Sequence, residues 1–153
     1  MEEGRIPVTN VISNPVRNLV EPIWDDTLYA SRDYVAQIVD GEITGFLLDA
    51  REAKRYRGEI EPLYKVAGRI PGALNFDWEQ LKENGTFQLT ESLKVDLKQV
   101  VDSSKEVTVY CGSGVTAAPV YAMLAHYGYE NIRLYVGSYS DWVSEEDAEI
   151  ETD

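Results

Sequence analysis

Val107-Thr-Val-Tyr-Cys111-Gly-Ser-Gly-Val-Thr-Ala117 is the stretch on which the reading of this chain turns. A β-branched apolar run leads into the only cysteine of 153 residues, a Gly-containing loop follows, and a small-residue helix opens with Pro119 in its first turn. Strand, turn and helix in that order bring a thiol to a place where loop amides and the positive end of a helix converge. A solitary cysteine in ordinary surroundings is a small buried hydrophobe. This context points instead to a thiolate nucleophile. Gly112 and Gly114 free the backbone to turn its N–H groups inward, and Ser113 and Thr116 add hydroxyl donors. Such a bowl would hold an anion bonded to sulfur, a persulfide or a departing oxyanion.

Outward from this loop, short apolar runs alternate with helical patterns. Ser31 is placed to cap a helix through Tyr34, Val35, Ile38 and Val39 that Gly41 stops. Phe46–Asp49 and Ala73–Phe76 read as buried strands. Thr90 caps a helix with Leu93, Leu97, Val100 and Val101 inward. Val107–Tyr110 is the next strand, and the helix after Cys111 carries Val120, Met123 and Leu124 until Gly128. Ile132–Val136 is the last strand, and Gly137–Trp142 begins a short helix. The alternation predicts an α/β fold with a mainly parallel sheet, whose ligands bind beyond the carboxyl ends of the strands. Asp49 and Cys111 both fall at such ends, so they are expected to share a site. Residues 1–22, with Pro7, Pro15 and Pro22, read as an extended arm or linker. Residues 23–143 form the domain, and 144–153 an acidic tail read as a frayed, solvated terminus.

Composition narrows the function. A formal charge of −13 argues against nucleic acid, which requires a clustered positive face. No window approaches a membrane span, and the acidic start Met1-Glu-Glu-Gly-Arg lacks the apolar stretch of a secretory signal. One cysteine cannot form an internal disulfide, which suits a reducing compartment, and a cytoplasmic protein is expected.

Rival chemistries lack their partners. The only histidine, His126, is expected roughly 13 Å along the helix from the loop, too far to serve a thiol protease. A Cys-x5-Arg phosphatase loop would place its arginine where Ala117 stands. A thiolate metal site needs several soft ligands, and only one exists. The basic cluster Arg51, Lys54, Arg55 and Arg57 reads on composition as a solvated helix face. Its position after the Asp49 strand end makes one or two members candidates for binding an anion. Trp24, Trp78 and Trp142 read as core or rim anchors.

Leu48-Asp-Ala-Arg51, Arg55-Tyr-Arg-Gly58, Glu61-Pro62, Gly68-Arg-Ile-Pro-Gly-Ala73, Cys111–Ala117 and Leu134-Tyr-Val-Gly-Ser-Tyr-Ser-Asp-Trp142 occur in order. Over roughly residues 20–143 the chain resembles the C-terminal catalytic domain of two-domain rhodaneses, the thiosulfate and 3-mercaptopyruvate sulfurtransferases. The resemblance implies a rhodanese-like five-stranded parallel sheet with helices on both faces. It also implies a ping-pong reaction in which Cys111 takes sulfane sulfur from a small anionic donor. The persulfide, cradled by the amides of Gly112, Ser113, Gly114, Val115 and Thr116, then passes to a thiophilic acceptor such as cyanide or a thiol. Arg55 matches the family's substrate-anion arginine, and Arg51 is a second substrate-binding candidate. Neither metal nor organic cofactor is implied.

The sequence departs from the family pattern in places. Arg69 replaces the histidine of Gly-His-Ile-Pro-Gly-Ala. Leu63-Tyr64-Lys65 stand where mercaptopyruvate enzymes often carry a second arginine, yet the neutral loop resembles the mercaptopyruvate type. Glu2-Glu-Gly-Arg-Ile-Pro-Val8 resembles the linker after an inert first rhodanese domain, which implies an excised C-terminal half; the alternative is a natural single-domain protein. A sulfur-carrier or oxidant-sensing module acting on a protein partner is the second functional reading.

Overall fold

The computed structural model describes residues 25–153. The arm expected over residues 1–22 and Trp24 lie outside them. The elements run α1 (Arg32–Val39), β1 (Phe46–Asp49), α2 (Ala53–Tyr56), β2 (Leu74–Asn75), β3 (Lys82–Glu83), β4 (Thr86–Phe87), α3 (Glu91–Val100), β5 (Val107–Tyr110), α4 (Ala117–His126), β6 (Ile132–Leu134) and α5 (Ser138–Trp142). Local chemistry sets most of the boundaries. Ser31 Oγ accepts from the Tyr34 N–H at 3.2 Å, and Thr90 Oγ1 accepts from the Leu93 N–H at 3.3 Å, each satisfying a first-turn donor. Gly41 and Gly128 follow α1 and α4 with φ of +75° and +88°, where a side chain would be strained.

The main sheet is parallel with order β2-β1-β5-β6. It has four strands among the described residues, not the five expected. Beyond β6 only Tyr29 bridges Leu134, and the Ala30 N–H donates to the Leu134 carbonyl at 3.1 Å. A 3-10 turn over Asp26–Leu28 precedes these two residues and Ser31 already caps α1, so no length remains for a strand. β6 also stops at Leu134, two residues early, because the chain bends to bring Ser138 under Cys111.

Side-chain alternation along the strands splits the core into two layers. Leu48, Val109 and Cys111 face Leu97, Val120, Met123 and Leu124 of α3 and α4. Leu47 and Tyr110 face the other way, onto Val35 of α1 and Tyr139 and Trp142 of α5. An antiparallel β3–β4 hairpin turns on Asn84-Gly85, both at positive φ. That dipeptide is a hairpin signal the sequence reading passed over.

The acidic terminus corrects an expectation, for it packs rather than frays. Arg69 and Glu151 exchange two backbone hydrogen bonds, and the Trp142 Nε1–H donates to the Glu149 carbonyl at 2.9 Å. Ile150 joins the second core layer. The cause is Arg69, only 6% exposed, whose guanidinium needs partners and finds Glu151 and Asp153. Gly68 makes room for this strap: a Cβ there would stand 2.6 Å from the Glu151 carbonyl oxygen.

Candidate active site

Parallel pairing of β1 and β5 aligns Asp49 with Tyr110, so the chain leaves both strands side by side, with Cys111 one residue beyond. The thiol is 1% exposed. Its backbone is clasped by the turn from β6 into α5. The Cys111 N–H donates to Ser138 Oγ at 3.1 Å, the Cys111 carbonyl accepts from the Tyr139 N–H at 3.0 Å, and the Gly112 carbonyl accepts from the Ser140 N–H at 2.9 Å. Ser138 is fully buried and holds φ at +56°, a strained value for a residue with a side chain. Its hydroxyl has the Tyr135 carbonyl at 2.9 Å and Sγ at 3.9 Å, and can turn its single proton to either.

Burial alone would push the Cys111 thiol up. Hydrogen bonds from the Thr116 hydroxyl, the Ser113 and Ala117 amides and the Ser138 hydroxyl outweigh it and hold the thiol below its ordinary value. Thr116 stands at the N-cap of α4 but makes no cap bond, and its hydroxyl serves the sulfur instead. Gly114 turns the loop with φ of +83°, so close to the segment after β6 that a Cβ would meet the Val136 carbonyl oxygen at 2.5 Å. Val115 is 74% exposed at the loop's outer edge. Ala117, where a phosphatase would carry arginine, is buried, and His126 is exposed at the far end of α4.

The basic cluster divides. Arg55, on α2, reaches the loop: two of its guanidinium nitrogens lie 3.5 Å from where a Gly112 Cβ would stand. Arg51, the second substrate-binding candidate, is enclosed by the protein's own groups. It is 2% exposed, its guanidinium is spent on Asp49, Glu61 and the Gly68 carbonyl, and it lies 4.0 Å over the Tyr139 ring. It is a brace. Burial pushes the Tyr139 phenol up to about 12 against the pull of Arg51, so it stays a donor, to the Val66 carbonyl at 3.1 Å. Arg57 pairs with Glu59 at the surface, and Lys54 is exposed.

Three residues at the site were given no role from sequence. Glu61 accepts from both Arg51 and Arg55, Tyr64 donates to the Gly112 carbonyl at 2.9 Å, and Ser138 forms the clasp. Glu61 and Ser138 lie inside stretches that carried the resemblance, which was the available signal. Tyr64 lies in the Leu63-Tyr64-Lys65 stretch, where a departure from the family pattern is visible but the reach of its hydroxyl to Gly112 is not.

Residues 31–145 match the Rhodanese family, described as the rhodanese-like domain. The chain belongs to the rhodanese family. It is 38% identical over 129 residues to the 3-mercaptopyruvate sulfurtransferase of Escherichia coli K12, covering 82% of this chain and 43% of that protein. It is 42% identical over 128 residues to SseB of Mycobacterium tuberculosis, provisionally named a thiosulfate sulfurtransferase, covering 80% and 44%. The sulfur carrier protein TtuD of Thermus thermophilus is 31% identical over 156 residues, covering 93% and 54%. Among solved structures, Tum1 of Saccharomyces cerevisiae superposes with a TM-score of 0.73 at 26% identity, over 84% of this chain and 47% of that one. The chain thus spans about half the length of the curated relatives it matches. No helix among the described residues is long and apolar enough to cross a membrane.

Proposed function

We propose that this chain is a sulfurtransferase that moves sulfane sulfur from a small anionic donor, thiosulfate or 3-mercaptopyruvate, through a Cys111 persulfide to cyanide or a thiol. The observation that carries the reading is the Cys111 thiol held below its ordinary value by four donors, with the Arg55 guanidinium across Gly112. With thiosulfate, the Cys111 thiolate attacks the outer sulfur. A new S–S bond forms, the donor's S–S bond breaks, and sulfite leaves with the electron pair. With 3-mercaptopyruvate, the C–S bond breaks and the carbon fragment takes up a proton to leave as pyruvate. The Ser113 and Ala117 amides and the Thr116 hydroxyl that hold the Cys111 sulfur form a donor set suited to the negative charge of a persulfide. An acceptor such as cyanide then attacks that outer sulfur, leaves as thiocyanate, and returns the thiolate. Arg55 offers the donor's sulfonate or carboxylate a charge-assisted contact. The loop itself is neutral, and Arg55 is the cation that reaches it at Gly112.

The test is cyanolysis with both donors beside mass spectrometry of the donor-treated protein. Wild type should gain one sulfur, about 32 Da by atomic mass, and Cys111→Ser should gain none. Sulfur transfer persisting in the serine variant would sink the mechanism. A sulfur-carrier role toward a protein partner is the second reading, favoured by the likeness to TtuD and by the solitary thiol. It predicts a stable persulfide that small acceptors discharge slowly.

A further inference from the structure

Glu61 accepts hydrogen bonds from three residues, Arg51, Arg55 and Leu63, none of them in the loop that follows Cys111. Its side chain is 3% exposed. It accepts from Arg51 Nη1 at 3.3 Å, from Arg55 Nε at 3.3 Å and Nη2 at 2.8 Å, and from the Leu63 N–H at 3.0 Å. Each bond leads to a different part of the site. Arg51 is itself locked by Asp49 and the Gly68 carbonyl, so Glu61 is tied to the carboxyl end of β1. Leu63 precedes Tyr64, whose hydroxyl closes on the Gly112 carbonyl. Arg55 is held along its Nε–Nη2 edge, so rotation about its long side chain is stopped; Nη1 and Nη2 both lie 3.5 Å from where a Gly112 Cβ would stand, and among the described residues Nη1 has no acceptor.

An arginine on a four-residue helix, with its side chain still 14% exposed, would otherwise sample many rotamers. The fork geometry of Glu61 selects one, and it leaves a single edge of Arg55 for an incoming anion. Asp49, Arg51, Glu61 and Arg55 carry two charges of each sign. This balance makes the group tolerable next to a buried sulfur and leaves no net positive charge to capture anions indiscriminately.

We propose that Glu61 is a positioning residue for donor recognition, aiming Arg55 at the donor anion above Gly112, and that it acts only on donors that carry an anionic group. The proposal rests on the sulfurtransferase reading above. Replacement of Glu61 by Gln removes the charge and turns an N–H donor toward two guanidinium groups, so Arg55 loses its fixed orientation.

The experiment compares wild type, Glu61→Gln and Glu61→Asp with thiosulfate and with an uncharged organic trisulfide as donors. It reads initial rates and Cys111 adducts by mass spectrometry: the persulfide left when sulfite departs from thiosulfate, and the mixed trisulfide left when Cys111 attacks the central sulfur of the neutral donor and an organic thiolate departs. Glu61→Gln should lower kcat/KM for thiosulfate by about tenfold or more, the scale of one charge-assisted contact. Its rate with the neutral trisulfide should match wild type within about twofold. Glu61→Asp, which keeps the charge on a shorter arm, should fall between the two on thiosulfate and serves if the Gln variant does not fold. Equal losses on both donors would make Glu61 merely structural and overturn the proposal, as would thiosulfate kinetics unchanged in both variants. A wild-type protein that forms no persulfide from thiosulfate or from 3-mercaptopyruvate would instead overturn the sulfurtransferase reading itself.

Discussion

Ser138 binds the Cys111 amide, lies beside its sulfur, and sits in a backbone conformation that favours glycine. Two terms therefore oppose each other on substitution. Ser138→Ala keeps the left-handed strain and leaves the buried Cys111 N–H unpaired, a loss of about 1–3 kcal/mol. Ser138→Gly loses the same bond but relieves roughly 1–2 kcal/mol of strain. The glycine variant should thus be the more stable of the two in denaturant melts, although both lose the hydroxyl near the sulfur. In both, the pH midpoint of Cys111 alkylation by iodoacetamide should move up, since one of the bonds that lower it is gone. Arg55 supplies a second prediction at this scale. Lysine cannot reproduce the two-pronged contact with Glu61 or present a fixed edge to the donor. Arg55→Lys should reduce kcat/KM for thiosulfate and 3-mercaptopyruvate by roughly 1.5–3 kcal/mol in transition-state terms, with neutral alkylation of Cys111 nearly unchanged. Unaltered donor kinetics would remove Arg55 from the site.

The element that distinguishes this site is the loop between β5 and α4, which is shaped by contact with the segment after β6 as much as by its own sequence. Gly114 and Gly128 bracket α4 and share nearly the same positive φ, so they separate local strain from tertiary contact. At Gly128 a Cβ meets nothing within 4 Å, and Gly128→Ala should cost only the strain of about 1–2 kcal/mol, with activity intact. At Gly114 the Cβ would strike the Val136 carbonyl at 2.5 Å, an atom of the main chain that cannot rotate aside. Gly114→Ala should therefore cost more than Gly128→Ala in thermal melts and also disorganise the donors around the sulfur. Activity that falls equally in the two variants would refute this division.

At the scale of the whole molecule, the segment 149–153 ties the acidic terminus to the corner that precedes β2. The Glu151 carboxyl is held below its ordinary value first by the Gly72 N–H and then by Arg69. A carboxyl depressed on folding contributes stability that is complete above its unfolded value of about 4.3 and is lost as pH falls through the folded value. Glu151→Gln should accordingly lower Tm at pH 7, and the difference from wild type should close in strong acid. Deleting residues 149–153 should lower Tm at pH 7 further, because Ile150 leaves the core and Arg69 loses both partners. A deletion with unchanged Tm would return the tail to the frayed state expected from its composition.

The order of helices and strands, their caps at Ser31 and Thr90, their stops at Gly41 and Gly128, and the placement of the Cys111 thiol at a strand end were all determined by the sequence itself. These are local matters. Periodicity, a cap hydroxyl or a glycine after a helix acts within a few residues and leaves its mark there. Only the tertiary structure decided which arginine braces and which faces the loop. Arg51 and Arg55 lie four residues apart and look alike in sequence, yet Asp49 and the Gly68 carbonyl claim one while Gly112 adjoins the other. The Ser138 clasp, the single bridge in place of a fifth strand, and the packing of the acidic tail on Arg69 were decided in the same way. Each joins groups between 27 and 105 residues apart in the chain. A buried charge or amide takes whatever partner the fold brings within about 3 Å, and no local pattern records which one that will be.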